Sequence, residues 1–386
     1  MIPYGRQDIS QEDIDAVIAV LQSEHLTQGP TVPIFENTVA KYCGANHGVA
    51  VNSATSALHI ACLALGVGQG DLVWTTPITF VASANCALYC GAVVDFVDID
   101  PLTYNMCAER LAEKLCVAEK NGKLPKVVIP VHLCGQPCNM ASIYKLSEQY
   151  GFKIIEDASH AIGGKYKGES IGNCLYSDIT VFSFHPVKVI TTGEGGMAVC
   201  NSSVLAKKMR LLRSHGISSS AEDMFARPDQ EIWNYQQIDL GFNYRMTDIQ
   251  AALGISQMKR LDEFVNKRHT IVQLYEQELR GLPIKFPWQH PDSYSAFHLY
   301  SIRIHQDFAK RNQRHVYEKL KVAGINANLH YIPVYRQPYY QSMGFKVGYC
   351  PNAELYFQQT LTVPLYPNLN YVEQTKVIQA LRKALV

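Results

Sequence analysis

The stretch Ser183-Phe184-His185-Pro186-Val187-Lys188-Val189-Ile190-Thr191-Thr192-Gly193-Glu194-Gly195-Gly196 decides how the rest of the 386-residue chain is read. It follows an apolar run, Ile179–Phe182, and turns through glycines into a second one, Met197–Cys200. Both runs read as buried strands. A lysine just after a strand is ordinarily a solvated surface residue. The apolar and small flanks of Lys188 suit instead a partly desolvated amine. Desolvation favours the neutral form, and a neutral amine is what adds to an aldehyde to make a Schiff base.

Working outward, strands are expected at Gly48–Val51, Leu72–Thr75, Val93–Val97, Val127–Pro130 and Lys153–Glu156. Helix-length segments lie between several of them: Thr55–Leu65, Phe80–Tyr89, Ala108–Lys120 and Met140–Tyr150. Such alternation predicts an α/β fold with a large, mainly parallel sheet covered on both faces. Ligands then collect at the carboxyl ends of the strands. Ahead of this region Ser10 and Asp13 are spaced to cap a helix over residues 11–22, with Ile14, Val17, Ile18 and Leu21 as its apolar stripe. Residues His25–Pro30 read as loop, and polar, Pro-containing Ser218–Glu231 as a mobile one.

Beyond about residue 245 the rhythm changes. Residues 245–281 read as mostly helical, strands are expected at His298–Ile304 and Asn328–Ile332, and helices at Asn312–Ala323 and Val372–Leu385. This predicts a smaller α+β C-terminal domain. Residues 1–250 would form an N-terminal arm and the large domain, and residues 251–386 the small one.

Several strand ends carry chemistry. Asp157, in Glu156-Asp157-Ala158-Ser159-His160, is placed to meet a bound ring. A pyridine nitrogen needs such a carboxylate if pyridoxal phosphate (PLP) is to draw electrons from a carbanion. His160 could donate to the phenolic oxygen of that cofactor. The turn Asn52-Ser53-Ala54-Thr55-Ser56-Ala57 opens a helix, and free N–H groups with adjacent hydroxyls make a phosphate site. Ser183 could add another hydroxyl, and Phe80 could stack on the ring. In isolation Asp157 reads as a loop acid or N-cap, His160 as a structural histidine, the Ser/Thr turn as ordinary capping and Phe80 as core. Their convergence on the strand ends of one sheet favours a single cofactor site.

Composition excludes other classes. A net charge of +1 gives no general attraction to nucleic acid or an anionic membrane. No run approaches bilayer-spanning length. The N-terminal MIPYGRQDIS has no apolar signal core, so a cytoplasmic protein is expected. The 11 cysteines are scattered. Cys86/Cys90 and Cys134/Cys138 lack the spacing and companions of a zinc site, so no metal is expected and the thiols read as reduced and mostly buried. No G-x-G-x-x-G opens a nicotinamide site.

With these motifs in hand the sequence resembles the DegT/DnrJ/EryC1/StrS family, PLP enzymes of fold type I that act on nucleotide-linked keto-sugars. The likeness runs through SFHPVKVITTGEGG, EDASHA, NSATSALH, TTPITFVASAN, RSHG (Arg213–Gly216) and NYRMTDIQAALG (Asn243–Gly254). It implies that Lys188 forms the Schiff base and shuttles the proton, and that Asp157 pairs with the ring nitrogen. His160 would contact the phenolic oxygen, Phe80 would stack, and Ala54, Thr55 and Ser183 would hold the phosphate. Asn243 would reach the phosphate of a neighbouring subunit, which implies a homodimer with composite sites. Because position 188 is lysine rather than the histidine of the sugar-dehydrating branch, transamination is expected.

Within the family the likeness is to the altrosamine transaminase branch of pseudaminic acid biosynthesis. That branch aminates C4 of UDP-2-acetamido-2,6-dideoxy-β-L-arabino-hexos-4-ulose with L-glutamate. By the same likeness Tyr4, Glu24, His25, Leu26, Thr27, Ala54, Ser183, Asn243, Asn328, Leu329, His330 and Tyr331 would line the sugar pocket.

Overall fold

The computed structural model describes residues 1–220, 222–225, 234–305 and 312–385. From the N-terminus the chain runs α1 (Gln11–Leu21), α2 (Thr31–Cys43), β1 (His47–Val51), α3 (Ala54–Ala64), β2 (Leu72–Thr75), α4 (Ala82–Tyr89) and β3 (Val93–Phe96). It continues through α5 (Ala108–Lys120), β4 (Val127–Ile129), α6 (Met140–Tyr150) and β5 (Lys153–Asp157). A ribbon, β6 (Lys165–Tyr166) and β7 (Glu169–Ser170), precedes β8 (Ile179–Ser183), β9 (Gly196–Cys200) and α7 (Ser203–Arg213). Short β10 (Ile217–Ser218) and β11 (Gln236–Gln237) pair ahead of α8 (Asp248–Met258) and α9 (Leu261–Glu278). Then come β12 (Ile284–Lys285), β13 (Ser293–Tyr294), β14 (Tyr300–Ile304), α10 (Gln313–Val322), α11 (Pro338–Ser342), α12 (Pro351–Gln359), β15 (Thr360–Val363) and α13 (Tyr371–Leu385).

The large sheet has seven strands in the order β1-β9-β8-β5-β4-β2-β3. Only β9 runs against its neighbours. The β2–β3, β2–β4, β4–β5 and β5–β8 pairs are parallel. Apolar side chains on both faces are buried, as a sheet sandwiched between helices requires. The reversal at β9 has a sequence cause. After β8 the chain makes a short excursion through Lys188 and returns beside the same strand, with the Phe184 N–H donating to the Gly195 carbonyl at 2.9 Å. Gly196 opens β9 because a Cβ there would lie 2.4 Å from the Ser53 carbonyl carbon and 2.5 Å from the Ala54 nitrogen. Only glycine lets this strand pass so close to the start of α3.

Helix α1 begins as expected, with Ser10 and Asp13 in a reciprocal capping box. Its stripe, however, does not face the core: Ile14, Ile18 and Leu21 are 44%, 42% and 54% exposed. Helix α8 packs on α1 and α2, so the expected boundary at residue 250 falls inside a helix that contacts the large body. A separate core begins near Ile271 of α9, takes in Ile2 from the N-terminus, and is built on the sheet β12-β14-β15 and on α10 and α13. The segment Asn328–Ile332 corrects the sequence expectation. It is not a strand: only Asn328 bridges to Thr362, and the chain then turns away toward Pro333. Part of the Ser218–Glu231 stretch lies outside the described residues.

Candidate active site

The carboxyl ends of β1, β2, β5 and β8 open into one cavity of about 960 Å³. Twelve of the seventeen residues singled out from sequence line it: Tyr4, Ala54, Thr55, Phe80, Asp157, His160, Ser183, Lys188, Asn328, Leu329, His330 and Tyr331. The other five do not. Glu24, His25, Leu26, Thr27 and Asn243 are exposed on the outside of this chain. They are nonetheless held in place. Buried Asp248 accepts the Gly29 and Thr31 N–H groups at 3.1 Å each, and its own N–H donates to the Leu26 carbonyl at 3.0 Å. Thr27 bridges to Thr247, and Asn243 to Ser214. The two segments are thus pinned outward.

Lys188 sits in the excursion between β8 and β9. Thr192 N–H and the Thr191 hydroxyl both donate to the Phe184 carbonyl, at 3.0 Å, which tightens the loop. Loss of water around the amine pulls its pKa down to about 8, against the opposing pull of the Asp157 charge. A minority of its population is therefore already neutral near physiological pH, far more than for an ordinary lysine, as the apolar flanks of the motif imply.

Asp157 ends β5 and is buried. The Ser83 hydroxyl donates to one carboxylate oxygen at 2.6 Å, and the Ser159 N–H to the other at 3.1 Å. Ser83 in turn lies 2.7 Å from the Thr79 hydroxyl. Two donors fix the carboxylate plane while it faces the cavity. Ser83 and Thr79 were missed in the residue reading. The available signal was a hydroxyl between Ala82 and Ala84 at the start of α4, one turn after Thr79.

His160 has a fixed orientation. Its Nδ1 accepts the Cys134 N–H at 3.3 Å, so the neutral ring carries its proton on Nε2. That nitrogen faces the Tyr331 hydroxyl at 3.2 Å. Burial holds the imidazole neutral, helped by Lys188 and His330, so its pKa lies well below the usual value. Burial and Lys188 likewise depress His330, to about 3. His330 Nδ1 pairs with the Thr362 hydroxyl at 2.9 Å, which ties the pocket wall to β15.

At the other end Ser53 caps α3, its hydroxyl accepting the Ser56 N–H at 3.2 Å. The N–H groups of Ala54 and Thr55 are left for an anion, at the positive end of an 11-residue helix. Phe80 is 59% exposed, with its ring 6.5 Å from that of Tyr331 across the cavity. An amine, a fixed carboxylate, a neutral imidazole donor, an exposed ring and an anion turn therefore share one space. The set suits PLP: the start of α3 could hold its phosphate, Phe80 could stack on its ring, Asp157 could pair with the ring nitrogen, His160 could meet the phenolic oxygen and Lys188 the aldehyde.

Comparison with known proteins points the same way. The model of the DegT/DnrJ/EryC1/StrS aminotransferase family matches residues 7–382. The UDP-4-amino-4,6-dideoxy-N-acetyl-beta-L-altrosamine transaminase of Campylobacter jejuni is 38% identical over 371 residues, 96% of this chain and 94% of that protein. The structure of Helicobacter pylori PseC, described as an aminotransferase involved in the biosynthesis of pseudoaminic acid, superposes with a TM-score of 0.89 at 30% identity, over 100% of this chain and 99% of that one. The Streptococcus pneumoniae putative sugar aminotransferase Spr1654 in its PMP form gives a TM-score of 0.90 at 29% identity, over 100% and 99%. Among the described residues no helix is long and apolar enough to cross a membrane.

Proposed function

Because this chain belongs to the DegT/DnrJ/EryC1/StrS aminotransferase family and depends on PLP, we propose that it transfers the amino group of L-glutamate to C4 of UDP-2-acetamido-2,6-dideoxy-β-L-arabino-hexos-4-ulose. The observation that carries the amino-transfer chemistry is Lys188 and Asp157 facing one cavity above the α3 turn. When bound, the cofactor supplies an aldehyde and an electron-withdrawing ring. Lys188, neutral above a pKa of about 8, carries a proton between the donor carbon and the cofactor, and later back to C4 of the sugar. Asp157 would pair with the ring nitrogen and favour its protonated form. His160, neutral and with its proton on Nε2, would donate to the cofactor's phenolic oxygen. The choice of sugar rests on similarity to the altrosamine transaminase and to PseC. It rests also on the wall formed by Tyr4 and Asn328–Tyr331, where a sugar would lie.

We read the enzyme as a homodimer with composite sites. Two anionic ligands, the cofactor phosphate and a nucleotide diphosphate, must share a cavity whose lining, among the described residues, includes one lysine and no arginine. Lys188 is committed to the aldehyde. Asn243, His25 and Thr27, pinned outward on each subunit, would supply donors to the partner's cavity, and the exposed stripe of Ile14, Ile18 and Leu21 is the apolar surface a second subunit would cover. Asn243→Ala is expected to weaken cofactor retention about tenfold, with the dimer preserved in light scattering, since one phosphate hydrogen bond is worth roughly 1.5 kcal/mol. Unchanged retention would remove Asn243 from the site.

The substrate is tested by product analysis. Enzyme, PLP and glutamate are incubated separately with the UDP-linked 4-keto-L-arabino sugar and its 4-keto-D-xylo epimer, and products are identified by mass spectrometry and NMR. Amination mainly of the L-sugar is expected. Preference for the D-sugar would reassign the substrate, and amination of neither would leave only the cofactor site.

A further inference from the structure

Behind the cavity, two buried residues have no part in the chemistry above. Glu156 opens EDASHA, and His132 follows β4 in Pro130-Val131-His132. Side chains alternate along a strand, so Glu156 and Asp157 point to opposite faces of β5. His132 Nδ1 accepts the Cys138 N–H at 3.1 Å, and Nε2 carries the proton that goes to one Glu156 oxygen at 2.7 Å. The Ser177 and Thr180 hydroxyls donate to the other oxygen. Three donors on one buried carboxylate make a charge-assisted joint that ties the chain after β4 to β5 and β8.

The joint sits where the backbone ladder is short. Strands β4 and β5 pair through Val127–Lys153 and Val128–Ile154. Pro130 then offers its carbonyl to the Asp157 N–H at 2.9 Å but has no N–H of its own to give. Pairing resumes at Val131–Asp157, where the His132 N–H donates to the Asp157 carbonyl at 3.1 Å. The His132 carbonyl accepts the Gly135 N–H at 3.2 Å and so starts the tight turn Leu133–Gly135. That turn carries the Cys134 N–H that holds His160 Nδ1 at 3.3 Å. One residue is thus bonded through its N–H to Asp157 and through its carbonyl to the turn that orients His160.

We propose that His132 and Glu156 are positioning residues for the cofactor ring, their bond behind Asp157 fixing that carboxylate and the His160 imidazole relative to one another. Neither side chain lines the cavity, so both act through the strand end and the turn. The proposal rests on the cofactor site and not on the choice of sugar. Without the His132 bond the end of β5 loses its side-chain tie beside the missing ladder bond. Glu156 then keeps two hydroxyl donors of its three. Asp157 and His160 become free to shift apart, and one rigid ring can no longer meet both at once.

The test measures PLP retention by the holoenzyme on dialysis and the visible circular dichroism of the bound cofactor, neither of which involves a sugar. His132→Leu fills the volume without a donor. It is expected to weaken retention about tenfold, as for the loss of one charge-assisted hydrogen bond, and to cut the visible dichroism about twofold. His132→Gln, which can offer an amide N–H to Glu156, is expected to bring retention back to within about threefold of the unsubstituted protein and to restore the dichroism. Tyr275→Phe removes a buried hydrogen bond to the Pro364 carbonyl in the other core, and is expected to lower the melting temperature with both cofactor signals unchanged. Should His132→Leu not fold, Thr180→Val takes one donor from Glu156 and is expected to change the dichroism in the same direction by a smaller amount. A His132→Leu or Thr180→Val protein that melts lower yet keeps both cofactor signals would overturn the proposal. So would a His132→Gln protein that retains PLP no better than His132→Leu.

Discussion

Lys188→Ala is expected to lower turnover by roughly 10⁴-fold or more, because it removes both the nucleophile and the proton carrier. The visible absorption of cofactor joined to the protein should vanish with it. Fold should survive. In the native protein the pKa of Lys188 is depressed to about 8, below its unfolded value, so the unfolded chain binds more protons. The partly desolvated amine therefore costs stability below about pH 8, and the cost fades as pH rises toward the unfolded value of about 10.4. Without bound cofactor, Lys188→Ala should accordingly melt no lower than the unsubstituted protein at neutral pH. Calorimetry on both apo-proteins, with turnover on the loaded ones, checks this. The same depression predicts that apo-protein captures added PLP faster as pH rises to about 8 and no faster beyond it. Retained turnover in Lys188→Ala would end the mechanism.

Asp157→Ala is expected to cost about 10²–10³-fold in turnover, the range found when a fixed charge or donor at the reacting centre is removed. Asp157 is held by the Ser83 hydroxyl at 2.6 Å and the Ser159 N–H at 3.1 Å, so its removal takes the acceptor from Ser159 and leaves Ser83 only the Phe80 carbonyl at 3.3 Å and the Thr79 hydroxyl. Asp157→Asn keeps the shape and removes the charge. It separates the two effects: a similar loss of turnover with restored stability assigns the role to charge. Turnover within tenfold of the unsubstituted enzyme in Asp157→Asn would remove the ring-nitrogen partner from the account.

Most of the large domain was legible because its strands are short, apolar on both faces and bounded by turns. Leu72–Thr75, Ala108–Lys120 and Met140–Tyr150 end where the periodicity says. The small domain was harder. Asn328–Ile332 has the alternation and aromatic content of a strand, yet Asn328, His330 and Tyr331 are spent on the cavity wall, and only Asn328 pairs. One of the two partners of β14, Thr360–Val363, follows α12 with no turn signal between them. Lys188 and Asp157 announced themselves through position at strand ends. Ser83 did not, because a hydrogen bond between residues 74 apart leaves no local trace in sequence. The outward face of α1 was unreadable for a related reason: an apolar stripe has the same pattern whether its own core or another chain covers it.

The cavity has two walls of different origin. Lys188, Asp157 and the α3 turn hang from the seven-stranded sheet, whereas Asn328–Tyr331 is a loop tied to β15 in the other core. A lineage could therefore rewrite the loop, trading one sugar for another, while inheriting the amino-transfer machinery untouched. The same division offers a protein engineer a surface for diversification and a part best left alone.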